Sequence, residues 1–95
     1  MKTLHLTIKK KWFLMVDAGE KPEEYRDESD WIRSRLLAKN GEHRKYDAVC
    51  FTNGYAPDSP RVTRVYNGFE FREGRQEWGA EPGKKYFVIK LGEKL

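Results

Sequence analysis

Gly19-Glu20-Lys21-Pro22-Glu23-Glu24-Tyr25-Arg26 is the stretch on which the reading of this chain turns. Its eight positions hold two cations and three carboxylates, entered by a glycine and interrupted by a proline. Glycine readily takes the left-handed conformation that closes helices, so Gly19 is expected to end the helix before it. Proline gives no N–H to a ladder and belongs at a strand's start or on an edge, so residues 22–27 read as a short strand. Side chains two apart share a face of a strand. Glu24 and Arg26 therefore point one way and Glu23, Tyr25 and Asp27 the other. Lys21, in the turn, leans over either face. One face thus carries a carboxylate flanked by two cations.

Working outward, residues 3–8 alternate, with Leu4, Leu6 and Ile8 on one side and His5 and Thr7 on the other. That is the pattern of a half-buried strand. Residues 9–18 follow a helical period that puts Trp12, Met15 and Val16 on one face. A second helix is expected over 30–39. Trp31, Ile32 and Leu36 lie on one stripe, Ser29 or Asp27 caps its start, and Asn40-Gly41 ends it. Residues 46–52, more apolar, read as a central strand, 61–66 as the next, and 85–91 as the last. Asn67-Gly68 is a hairpin signal by itself, and a bulge within one long bent strand is the competing reading. Five or six short strands with two helices make a single α+β domain over residues 1–95. With few devices protecting its edges, such a sheet is expected to curl into a partly closed barrel.

Charged residues form 36% of the 95-residue chain and hydrophobic ones 38%, yet 3 Trp, 5 Tyr and 5 Phe supply the area for a small core. Disordered chains lack such aromatics. Cys50 is the only cysteine, which excludes an internal disulfide framework and points to the cytoplasm. The first residues lack the apolar run of a signal peptide, and no stretch is long and apolar enough to span a membrane. His5 and His43 lie far apart with no cysteine spacing to match, so no metal or cofactor is expected. The formal charge of +4 favours a polyanionic partner.

The first helix is charged against its dipole. Lys9, Lys10 and Lys11 crowd its start, while Asp17 and Glu20 lie at its end. Each such charge costs about 0.3–1 kcal/mol at low salt, and a bound anion at the start reverses the sign. The plainer reading is that these lysines are solvated and screened. For Lys21, Glu24 and Arg26 the plain reading is a surface ion pair. The functional one is a pocket where Arg26 holds a phosphate or carbonyl through its planar fork and Lys21 donates or acts as a base. Among the aromatics, Tyr55 and Trp78, on loops, are the candidates for stacking on a base. Asn53 is a candidate for reading a base edge, although Asn-Gly is first a turn signal. Cys50 is expected to be buried in its strand and His5 to be structural.

The segment 19–26 fits a G-x-K-x-x-E-x-R signature. Together with KKKWF upstream, Trp31, the FTNGY loop and the closing EWGAEPGKKYFVIKLG, it makes nearly the whole chain resemble small phage and bacterial members of the ASCH domain family, within the PUA-like superfamily. The resemblance implies a five- or six-stranded β-barrel with flanking helices. It also implies a cleft for RNA or a nucleotide lined by Gly19, Lys21, Glu24 and Arg26. One branch of the family is similar to an amidohydrolase that deacetylates acetylcytidine with a lysine and a threonine from this segment and a later glutamate. Lys21 matches the lysine and Glu24 stands in place of the threonine. The later glutamate is Glu70, Glu73, Glu77 or Glu81. Ribonuclease activity is a further implication of the family, and here it would fall to Lys, Tyr and Arg side chains.

Overall fold

The computed structural model describes all residues 1–95. Five strands form one sheet, β1 (Thr3–Thr7), β2 (Glu23–Arg26), β3 (Ala48–Thr52), β4 (Arg61–Glu73) and β5 (Lys85–Lys94), with helices α1 (Lys10–Ala18) and α2 (Asp30–Leu36). The strand order is β1-β3-β4-β5-β2. β1 runs parallel to β3, and the other neighbours are antiparallel.

Each element has a local cause. In β1 the alternation buries Leu4 and Leu6 and leaves His5 and Thr7 exposed. Helix α1 buries Phe13 and Val16, whereas Trp12 and Met15 are only half-buried. Gly19 closes α1 with φ 80°. The Ser29 hydroxyl accepts from the Ile32 N–H at 3.1 Å, capping α2. That helix stops at Leu36, short of the expected 39. Leu37 turns extended and pairs with His43, while the Arg44 N–H takes the Leu36 carbonyl at 2.8 Å. Trp31, expected on the buried stripe, is 48% exposed.

The missing favourable charges of α1 come from a distance. Arg64, on β4, donates to the carbonyls of Val16 at 2.7 Å and Asp17 at 3.1 Å. This guanidinium supplies the cation that the helix C-terminus lacks in its own sequence. It reaches there because Arg64 lies between Val62 and Tyr66 on the core-facing side of β4, the side on which α1 packs.

Asn67-Gly68 makes no hairpin. β4 continues through it as one strand whose ladder with β5 shifts register between Tyr66 and Phe69, with Gly68 at φ 85°. The first half of β4 pairs with β3 and the second half only with β5, so the bulge bends the sheet between two partners. Phe51, Val49, Ile89 and Phe87 build the core of the inner face with Val16, Ile32 and Leu36 from the helices. On the outer face a smaller cluster joins Ala80, Tyr86 and Val88, with Tyr25 packed against it.

The expected barrel does not close. β1 and β2 are the edges of an open five-stranded sheet, with no ladder between them and no sixth strand. β2 has only four residues, follows Pro22, which has no N–H to give, and pairs with β5 alone. The sheet is nonetheless strongly curled. Four strand spacings of about 4.8 Å would set the edges of a flat sheet roughly 19 Å apart. Yet the Arg26 guanidinium on β2 donates to the Thr7 carbonyl on β1 at 2.5 Å. A side chain bridges the seam that backbone does not. No helix of the chain is long and apolar enough to cross a membrane.

Candidate functional site

The seam between the two edges opens into a cavity of about 710 Å³. Glu24, Tyr25 and Arg26, the end of GEKPEEYR, line it. Both oxygens of Glu24 are occupied. Oε1 accepts from the Lys21 ammonium at 2.9 Å and the Tyr25 N–H at 3.2 Å. Oε2 accepts from Arg26 Nε at 3.0 Å and Nη2 at 2.8 Å. With the bond from Arg26 to Thr7, the three charges form a continuous clasp from α1's exit to β1.

Lys21 is the innermost member. Its side chain is 1% exposed, and its ammonium donates to the Glu23 carbonyl as well as to Glu24. The Tyr25 and Trp12 rings lie 4.9 and 5.8 Å from it. Burial pushes the Lys21 amine below its ordinary value, and the adjacent Glu24 opposes that shift without cancelling it. Lys21 does not reach the cavity surface, which Glu24 and Arg26 line. The expected convergence of ammonium, carboxylate and guanidinium is therefore present, but the ammonium lies behind the wall.

The other expected site residues divide in the same way. Lys9, Asn53, Tyr55 and Trp78 line the cavity. Asn53 is held by its amide, which donates to the Ile8 carbonyl at 3.0 Å. Tyr55 is 91% exposed, at the tip of the loop after β3. Gly19, Lys10 and Lys11 do not line it. Gly19 is spent on closing α1, and Lys11 lies 4.6 Å over the Trp12 ring. Lys9 faces the seam as the extended N-cap residue, whereas Lys10 and Lys11 begin α1 and do not line the cavity. Of the four distal glutamates, Glu81 alone lines the cavity. Glu70 pairs with Arg72 and Lys90, and Glu77 with Arg75, all elsewhere.

The walls are more aromatic and less cationic than the sequence implied. Trp12, Tyr25 and Tyr86 join Tyr55 and Trp78. Lys9, Arg26 and Lys84 are offset by Glu24, Asp27 and Glu81, and Lys84 already pairs with Asp27 at 2.7 Å. Trp12 reads in sequence as a core residue of α1. It reaches the cavity because the loop after β4 brings Gly79 against its ring, where a Cβ would stand 2.9 Å away. No local signal carries that approach. Nor does any group of three or more His, Cys, Asp or Glu side chains converge as metal ligands. Cys50 is buried in β3, beside His5 in the β1–β3 register.

Chemically, the cavity offers flat π-faces, fixed carboxylate and amide acceptors, and a guanidinium on its floor. It suits a planar, hydrogen-bonding guest better than a compact polyanion. Comparison with protein-family models, curated proteins and solved structures finds no match.

Proposed function

We propose that this chain binds single-stranded RNA or a nucleotide, taking one base between the aromatic walls of the seam cavity. The observation that carries this reading is the meeting of Trp12, Trp78, Tyr55 and Tyr86 with Asn53 and Glu81 around one opening. Aromatic faces stack on any base at about 1–3 kcal/mol each. The amide and carboxylate supply groups for a base edge, and Lys9 and Arg26 lie where a phosphate would follow. The resemblance of GEKPEEYR to the ASCH signature supports the same reading, as does the curl of the open sheet whose edges Arg26 bridges. In this reading Lys21, Glu24 and Arg26 act chiefly as the clasp that shapes the cavity, and Gly19 as the stop that places them.

Tryptophan fluorescence tests the proposal directly. Nucleoside monophosphates and short single-stranded RNA quench Trp12 and Trp78 at low salt, and Trp78→Ala weakens binding about tenfold. Replacing Lys9 lowers the slope of log K against log salt by about one. Absence of quenching at millimolar nucleotide, with no binding of single-stranded or transfer RNA at low salt, overturns it.

The second reading, hydrolysis of an acyl-amide on a nucleoside such as acetylcytidine, draws on two observations. The Lys21 amine is pushed down by burial, and Glu81 is on the wall. Against it stand the 1% exposure of the Lys21 side chain and its two oxygen partners, which leave it no path to a guest. Incubation with acetylcytidine, read as released cytidine, decides between the two. Turnover that is abolished by Lys21→Met and by Glu81→Gln in folded variants restores the enzyme reading.

A further inference from the structure

A second hollow of about 320 Å³ opens on the exposed side of β1, with Thr3, His5, Trp31, Arg35 and Tyr46 among its walls. The Arg35 guanidinium lies 5.0 Å over the Trp31 ring, and Trp31 is 48% exposed. The Lys2 ammonium lies 5.3 Å over the Tyr46 ring at the same end of the strand. No carboxylate lines this hollow, and Arg35 takes part in none of the chain's ion pairs. In the seam cavity, by contrast, Arg26 pairs with Glu24 and Lys84 with Asp27.

β1 connects the two hollows. Thr3, His5 and Thr7 share its outward face, with Thr3 and His5 in the second hollow and Thr7 in the wall of the first. Same-face residues follow each other every 6.6 Å or so, close to the pitch of an extended single-stranded backbone. β1 is also an edge strand, so its outer N–H and C=O groups have no strand partner.

We infer that a single nucleic-acid strand leaves the seam cavity along the exposed side of β1 and seats a second base on the Trp31 ring beside Arg35. Stacking on an aromatic face with a guanidinium alongside is how flexible single strands are held without sequence readout. A duplex does not fit the role, because its bases are already stacked on one another. The preferred ligand is therefore an oligonucleotide of several residues instead of a free nucleotide. This inference rests on the nucleotide-binding reading of the seam cavity.

The test compares two probes, a mixed nucleoside monophosphate pool and a fluorescein-labelled single-stranded RNA of about eight nucleotides. The wild-type chain binds the oligonucleotide at least tenfold more tightly. Trp31→Ala and Arg35→Glu each weaken the oligonucleotide about tenfold and leave the monophosphates unchanged, whereas Trp78→Ala weakens both. Thermal melting checks that each variant folds, and Trp31→Phe restores oligonucleotide binding through its smaller ring. If Trp31→Ala and Arg35→Glu bind the oligonucleotide as wild type does while Trp78→Ala does not, the second seat is wrong and the seam reading stands. If wild type binds neither probe, both fall, and the Trp31 face serves a different partner.

Discussion

The two faces of β2 carry ion clusters of nearly the same composition in opposite surroundings. On the inner face Glu24 lies between Lys21 and Arg26, with side-chain exposures of 8%, 1% and 23%. On the outer face Glu23 meets Arg72, which also holds Glu70, which in turn meets Lys90. There Arg72 is 38% exposed, Glu70 49% and Lys90 40%. The first cluster crosses the gap between sheet edges, where no ladder holds them, and the second lies across a ladder that backbone already holds. Charge count therefore says little about what an ion cluster does. Burial and the presence or absence of a parallel backbone link decide it.

The largest effect is expected from Glu24→Ala. It strands the ammonium and guanidinium around a buried site and costs about 3–5 kcal/mol, read as a shift in the urea midpoint. Lys21→Met with Glu24→Leu removes all the buried charge of that pair and recovers most of the loss. A Glu24→Ala variant within about 1 kcal/mol of wild type would make the clasp an ordinary surface pair. Gly74→Ala tests the outer face by packing alone. Its Cβ would stand 2.5 Å from the Tyr25 ring, whose hydroxyl donates to Glu23 at 2.7 Å and accepts from the Arg75 N–H at 3.0 Å. The ring must move, at about 1–3 kcal/mol in thermal melts.

Glu23→Gln is expected to be smaller, under about 1 kcal/mol at neutral pH, because Arg72 is partly solvated. Its signature is the pH dependence. Burial alone would raise the Glu23 carboxyl, but hydrogen bonds from Arg72 and Tyr25 outweigh it and hold the group below its ordinary 4.5. The folded state then binds this proton less readily than the unfolded state. The associated stability is fully present above that ordinary value and is lost as pH falls through the lower folded one. The acid limb of a stability profile should accordingly be shallower in Glu23→Gln, and an unchanged limb would remove Glu23 from the account. Smallest of all, Glu70→Ala is expected to leave the urea midpoint unchanged within error.

Much of β2 was legible in its own residues. Gly19 as a helix stop, Pro22 before an edge strand, and the split of Glu24 and Arg26 from Glu23 and Tyr25 all follow from rules spanning a few positions, and all are found. The burial of Lys21 was not legible, because a turn lysine is ordinarily solvated. The rings of Trp12 and Tyr25, brought together from two elements, lie over its ammonium. The same holds for the cavity. Asn53, Tyr55 and Trp78 stood out as loop residues, while Trp12 read as core and joined the wall only when the loop carrying Gly79 folded against its ring.

Sequence by itself determined the α+β class, the alternation of β1, the caps at Gly19 and Ser29, and which β2 side chains share a face. Each is set by backbone geometry repeating over two to four residues. Tertiary structure alone decided that Asn67-Gly68 bends a strand instead of turning it back, that Arg64 completes α1, and that the sheet stops short of closure. Those outcomes depend on partners tens of residues away. A local signal such as Asn-Gly permits both a turn and a bulge, and the ladder with β5 selects between them.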